Sequence, residues 1–164
     1  MELGRRYRIT LFSWLLVGTL DILAAFVDYS ISTGKDPLVI LKYIASGAFG
    51  TDAFNGGTGM MLLGLLFHYL FALFFTIIFF WLHRRISWFA NHPVIACILY
   101  TLFIWCFMNL GVVQSSKAPH QPISAMQWDK VLKSMLILLF MISVPLTLIA
   151  SRNFAFKRTS VKRN

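Results

Sequence analysis

Apolar residues in this chain gather into four long runs, about Ile9 to Ser30, Gly59 to Leu82, Pro93 to Val113 and Trp128 to Ala150. Each matches the roughly 20 residues that a helix needs to cross the hydrocarbon core of a bilayer. The pattern predicts an all-α integral membrane four-helix bundle, built as a single membrane domain over residues 1–164. Between the first two runs, "GKDPLVILKYIASGAFGTDAFNGGTG" is too polar and glycine-rich to cross, yet too apolar for a solvated loop. Asp36 before Pro37 makes a good helix start, an N-cap followed by the one position where proline is welcome. Pro37, Ile40, Leu41, Ile44, Ala45 and Ala48 then recur at helical spacing, which predicts a short helix over about 36–48 with one apolar face. It is either interfacial or re-entrant, and Gly47, Gly50, Gly56, Gly57 and Gly59 would end it and supply a pliable return.

Composition agrees with the pattern. The chain is 58% hydrophobic and 13% charged, against about 25% charged in soluble domains. Its mean hydropathy is +0.71. A net charge of +9 raises the question of nucleic acid, which the distribution of the charge answers. Arg5, Arg6 and Arg8 precede the first run, Arg84 and Arg85 join the second to the third, and Arg152, Lys157, Arg158, Lys162 and Arg163 follow the fourth. The other two loops hold only Lys35 and Lys42, then Lys117, Lys130 and Lys133. By the positive-inside rule both termini are cytoplasmic. The basic tail over 152–164 is then a topology anchor that meets anionic lipid, and no nucleic-acid partner is expected. The first run is expected to be an uncleaved span, because it is long, is interrupted by Asp21 and lacks a clear small-residue cleavage site.

Each span carries a polar stripe. In the second, Gly64, His68, Ala72 and Thr76 lie four apart on one face. The third offers Cys97, Thr101, Trp105 and Asn109, and the fourth Ser143, Thr147 and Ser151 beside Pro145. In the first, Gly18, Asp21, Ala25 and Asp28 share a face. Small and polar residues at this spacing are what a helix turns toward other helices in a membrane, so Gly18, Gly64, Ala72 and Thr76 are expected at helix contacts. A carboxylate within a span needs a partner inside the bundle. At 1.5 Å per residue, Asp21 lies roughly 13 Å and His68 roughly 12 Å from the outer boundary, so the two are level and could hydrogen-bond. Asp28, Asn109 and Lys133 all fall within roughly 3 to 6 Å of that boundary, which pairs Asp28 with one of the other two. These five are the buried polar or binding candidates.

The remaining chemistry is sparse. Cys97 and Cys106, nine residues apart, face opposite sides of one helix and cannot bridge each other. His83, His92 and His120 have no companion cysteine or carboxylate spacing, and His83 and His92 are expected as interfacial polar residues. Trp88 and Trp128 fit span-end anchors. No metal or cofactor is expected, and the common nucleotide-loop, HExxH and GxSxG motifs are absent, so no catalytic residue is assigned.

"GTLDILAA", "KYIASGAFGTDAFNGG", "LGLLFHY", the Arg84-Arg85 pair with Pro93 after it, and "MNLGV" together resemble a group of small, uncharacterised bacterial inner-membrane proteins with four predicted spans. The resemblance runs from about Gly18 to Pro145, with "IASGAFG" and "LGLLFHY" its most specific parts and the fourth span matching less clearly. It implies an architecture and the bacterial inner membrane, and no reaction. The expected function is therefore a structural or partner-binding helix bundle, with membrane lipids and a second copy or a partner membrane protein around it. Two alternatives use the same stripe: proton or cation transport at Asp21 and His68, and a lipid-modifying enzyme in which Asp21, Asp28 and His68 act as acid and base beneath "GTDAFNGGTG".

Overall fold

The computed structural model describes residues 2–153, apart from the side chains of Glu2, Leu3 and Ile123. The described residues form helices α1 (Glu2–Thr33), α2 (Val39–Phe49), α3 (Asp52–Asn55), α4 (Thr58–Arg85) and α5 (Ser87–Asn91). Two more long helices follow, α6 (Pro93–Ser115) and α7 (Trp128–Asn153). No strand occurs among them. The basic tail expected over 152–164 lies, beyond Asn153, outside the described residues.

The long helices extend past the apolar runs because nothing at their ends breaks them. α1 already includes Arg5, Arg6 and Arg8, and it stops at Gly34, whose φ of 66° lets its N–H reach the Ser30 carbonyl at 2.8 Å. α4 continues through His83 to Arg84 and Arg85, two cations placed at the negative end of the helix dipole. A single extended residue, Ile86, and the short α5 then turn the chain into α6, which begins with Pro93 in its first turn. This tight connection makes α4 and α6 antiparallel.

Two of the long helices carry a widened turn, Phe107–Val112 in α6 and Leu139–Ser143 in α7. In α7 the reason is local. Pro145 has no N–H and its ring crowds the carbonyl of the preceding turn, and the wider turn just before it relieves that crowding. In α6 the Asn109 amide donates to the Trp105 carbonyl at 3.0 Å, supplying a side-chain donor inside the altered ladder.

The segment between α1 and α4 is helical as the pattern predicts, but its start is looser. The Asp36 carboxylate accepts from the Leu38 N–H at 2.9 Å, and three short-range backbone bonds at Val39, Ile40 and Leu41 form a tight turn before the regular helix begins at Val39. Gly50, with φ of 66°, ends α2. The helix packs along α4 and reaches the chain just past α6, where the Lys117 N–H donates to the Gly47 carbonyl at 3.0 Å.

The core is aromatic and lies toward the α4–α5–α6 turn. Phe79, Phe80, Phe89 and Tyr100 are buried with Val17, Ile104, Ile142 and Leu146. The rings of Phe79 and Tyr100 meet edge-on with centroids 4.9 Å apart. The Tyr100 hydroxyl, buried among these rings, donates to the Phe75 carbonyl. His83, expected as an interfacial polar residue, belongs to this core: it is 4% exposed and stacks on Phe79. His92 is exposed and stacks on Trp88.

All four long helices are long and apolar enough to cross a membrane. Each also turns bulky apolar residues outward. On α4, Leu62, Leu66, Leu70, Phe74, Ile77 and Trp81 form an exposed ridge, while Gly64, Ala72 and Thr76 are buried on the opposite side.

Candidate functional site

Two seams between helices carry polar contacts, and the first joins α1 to α4. It can form because both helices offer small residues there. A Cβ added at Gly18 would stand 3.2 Å from the Ala72 Cβ and 2.9 Å from the Tyr69 ring, so glycine permits the close approach. Thr76, one turn beyond Ala72, is buried and returns its hydroxyl to the Ala72 carbonyl at 2.8 Å.

Three hydrogen bonds cross the seam. The Trp14 indole donates to the Tyr69 carbonyl at 2.7 Å. The Thr19 hydroxyl donates to the Leu15 carbonyl at 2.7 Å, so the Tyr69 hydroxyl must be the donor in its 2.8 Å contact with Thr19. His68 Nε2 donates to the Gly18 carbonyl at 2.8 Å, which fixes the proton on Nε2 and leaves Nδ1 for other use.

Asp21 lies one helical turn beyond Gly18, half-buried and close enough to His68 for the two to interact electrostatically. The expected hydrogen bond between them is not formed, because the ring spends Nε2 on the Gly18 carbonyl. Among the described residues the Asp21 carboxylate makes no hydrogen bond at all.

The C-terminal part of α1 and the N-terminal part of α7 are joined differently. Asp28 and Lys133 form an ion pair, and Lys133 also donates to the Ser32 hydroxyl at 3.1 Å. Asn109 takes no part, since its amide stays on its own helix. Of the five candidates, then, the fold brings Asp21 to His68 and Asp28 to Lys133 and leaves Asn109 apart.

A second seam joins α6 to α7. The Thr101 hydroxyl donates to the Ser143 hydroxyl at 2.8 Å, Cys97 Sγ lies 3.0 Å from the Thr147 hydroxyl, and all four side chains are buried. The Trp105 indole donates to the Ser134 hydroxyl at 3.0 Å. No buried side-chain nitrogen or oxygen among the described residues lacks a partner, and no three metal-ligating residues gather there.

α2 touches α4 at one unusually close point. A Cβ at Gly64 would fall 1.9 Å from the Leu41 carbonyl oxygen and 2.7 Å from its carbon, so the α2 backbone rests directly on this glycine. Leu41, Ala45 and Ser46 are buried as a result.

Trp14, Thr19 and Tyr69 were not among the candidates read from the sequence. A signal for one of them exists, since Trp14 precedes Gly18 and Asp21 at helical spacing on the same face.

Comparison of the chain with protein-family models, with curated proteins and with solved structures found no match.

Proposed function

We propose that this protein is a multi-pass protein of the bacterial inner membrane, with both termini cytoplasmic, whose polar side chains serve to lock its helices into one register. Its role is then that of a structural or partner-binding bundle, in contact with membrane lipids and with a second copy or another membrane protein. The observation that carries this reading is the division of labour on each helix. Bulky apolar side chains cover the outside, as on the Leu62–Leu66–Leu70 ridge, while no buried side-chain nitrogen or oxygen among the described residues lacks a bond to a neighbouring helix or to its own backbone. Interhelical hydrogen bonds in membranes contribute only about 0.6 to 2 kcal/mol each, but they select register. The clustering of arginines at alternate ends of the spans supports the cytoplasmic termini.

The test is His68→Ala and Asp21→Asn in the purified protein, followed by melting temperature and native mass spectrometry. A packing role predicts that His68→Ala melts early, with no copurifying ligand lost from either variant. Loss of a bound ligand at an unchanged melting temperature would count against it.

One observation favours a second reading, proton or cation transport. Asp21 is a carboxylate inside an apolar run, near an imidazole with one nitrogen to spare, and it makes no hydrogen bond among the described residues. Proteoliposomes decide this. Flux that disappears in Asp21→Asn supports transport, and absence of flux from the wild type removes it.

A further inference from the structure

A groove of about 820 Å3 opens between the arginine-bearing ends of α1 and α7. This lies within the roughly 300 to 1,000 Å3 of small-molecule sites. Its walls are graded along the helix axes. Arg5 and Arg8 from α1 and Arg152 from α7 line one end, while Ile9, Phe12 and Leu148 line the other. The grading follows from spacing: Arg5, Arg8 and Phe12 share one face of α1, and Leu148 and Arg152 share one face of α7. Seven residues separate Arg5 from Phe12, a span of roughly 10 Å from charge to oil. Among the described residues, none that lines the groove is acidic.

We propose that this groove is a binding site for an anionic phospholipid, with the phosphate at the three guanidinium groups and the start of the acyl chains against Phe12 and Leu148. Guanidinium groups match phosphate oxygens with paired hydrogen bonds, and basic pockets between spanning helices on the cytoplasmic side suit anionic headgroups. Phe12 and Leu148 are 63% and 53% exposed, so a lipid would cover apolar surface that is otherwise open. A free phosphate would meet the arginines equally well, but it would leave the apolar half of the groove empty. The site therefore selects a lipid over an inorganic ion. The proposal rests on the membrane-spanning reading above.

Native mass spectrometry of the full chain, released from detergent after incubation with equal amounts of phosphatidylglycerol and phosphatidylcholine of the same chain length, tests it. Phosphatidylglycerol should predominate in the wild type. Each basic residue near an anionic lipid is worth about fivefold, so R8Q/R152Q should bind it roughly 25-fold less well. L148W, which fills the groove from an exposed position and keeps every charge, should weaken binding by a similar factor. K117Q/K130Q removes equal charge from the opposite loops and should leave binding unchanged. Equal binding of the two lipids overturns the proposal, and so does displacement by inorganic phosphate as readily as by phosphatidylglycerol. Should R8Q/R152Q fail to fold, L148W decides alone, and undiminished binding by it sinks the site. Alkaline carbonate separates the two readings. A chain that stays in washed membranes but shows no lipid preference lacks this site and still spans, whereas a chain released by carbonate loses both.

Discussion

Replacing Gly64 by alanine should destabilise the fold far more than the addition of one methyl group suggests. The new Cβ would lie 1.9 Å from the Leu41 oxygen, whereas real Cβ contacts stay beyond 3.0 Å. The obstacle is backbone, so no rotamer change removes it. α2 must withdraw by about 1.1 Å or more, and a gap of 0.5 to 1 Å forfeits a quarter to a half of each dispersion contact along the line. Leu41, Ala45 and Ser46, all buried by this packing, lose part of that contact. Overpacking of this kind costs about 1 to 3 kcal/mol, and at about 2 to 4 °C per kcal/mol the melting temperature should fall by roughly 2 to 12 °C. Gly59 is the control, because a Cβ there meets nothing within 4 Å. Gly59→Ala should hold or raise stability, since alanine is the better helix former by about 1 kcal/mol. Thermal unfolding in one detergent, read by the soluble fraction after heating, compares the two. Equal melting temperatures for the two variants would refute the close packing of α2 on α4.

Gly18→Ala should cost less than Gly64→Ala, about 1 kcal/mol, because the nearest atoms belong to the Tyr69 side chain, which can swing aside; thermal melts on the same scale read the difference. Asp28→Asn should lower stability by no more than about 1 kcal/mol, because both members of its ion pair with Lys133 are partly exposed. A double-mutant cycle with Lys133→Met measures that coupling, and a value above 3 kcal/mol would show the pair to be better enclosed than it is here. Burial pushes the Tyr43 phenol, on α2, above its ordinary value. The unfolded chain therefore ionises first, and folding stability should decline as pH rises past about 10. Difference absorbance of wild type against Tyr43→Phe tracks the phenol, and its ionisation before that of a free tyrosine would contradict the assignment.

The four long helices were legible because length and hydropathy are local properties, and no turn chemistry interrupts the runs. The ends were less so. Arg5 to Arg8 are polar enough to look like a flank, yet charged residues continue a helix readily, and α1 runs through them to Gly34. The level of each polar residue was also readable, which narrowed the partner of Asp28 to Asn109 or Lys133, and the structure selects Lys133. Rotation was not readable. Asp21 and His68 are level and close, but whether the ring meets the carboxylate or the Gly18 carbonyl depends on a few ångströms of side-chain placement that hydropathy does not encode. His83 shows the same limit in reverse. A histidine beside two arginines reads as an interfacial polar residue, and only the fold reveals that its ring is buried and stacks on Phe79.

The central claim, a membrane bundle held in register by polar contacts between helices, is tested most directly by one substitution against a native thiol. Cys97 Sγ lies 3.0 Å from the Thr147 hydroxyl across the α6–α7 seam, so T147C combined with C106A should place two thiols within disulfide reach. In membranes washed with alkaline carbonate, treated with a mild oxidant and then dissolved in SDS, these thiols should resist alkylation until reduced. L148C combined with C106A should remain alkylatable in SDS, because Leu148 is 53% exposed and faces away from the buried Cys97. Thiols at 97 and 147 that stay alkylatable in an intact chain would contradict the register, and a chain found in the carbonate supernatant would contradict the membrane bundle itself.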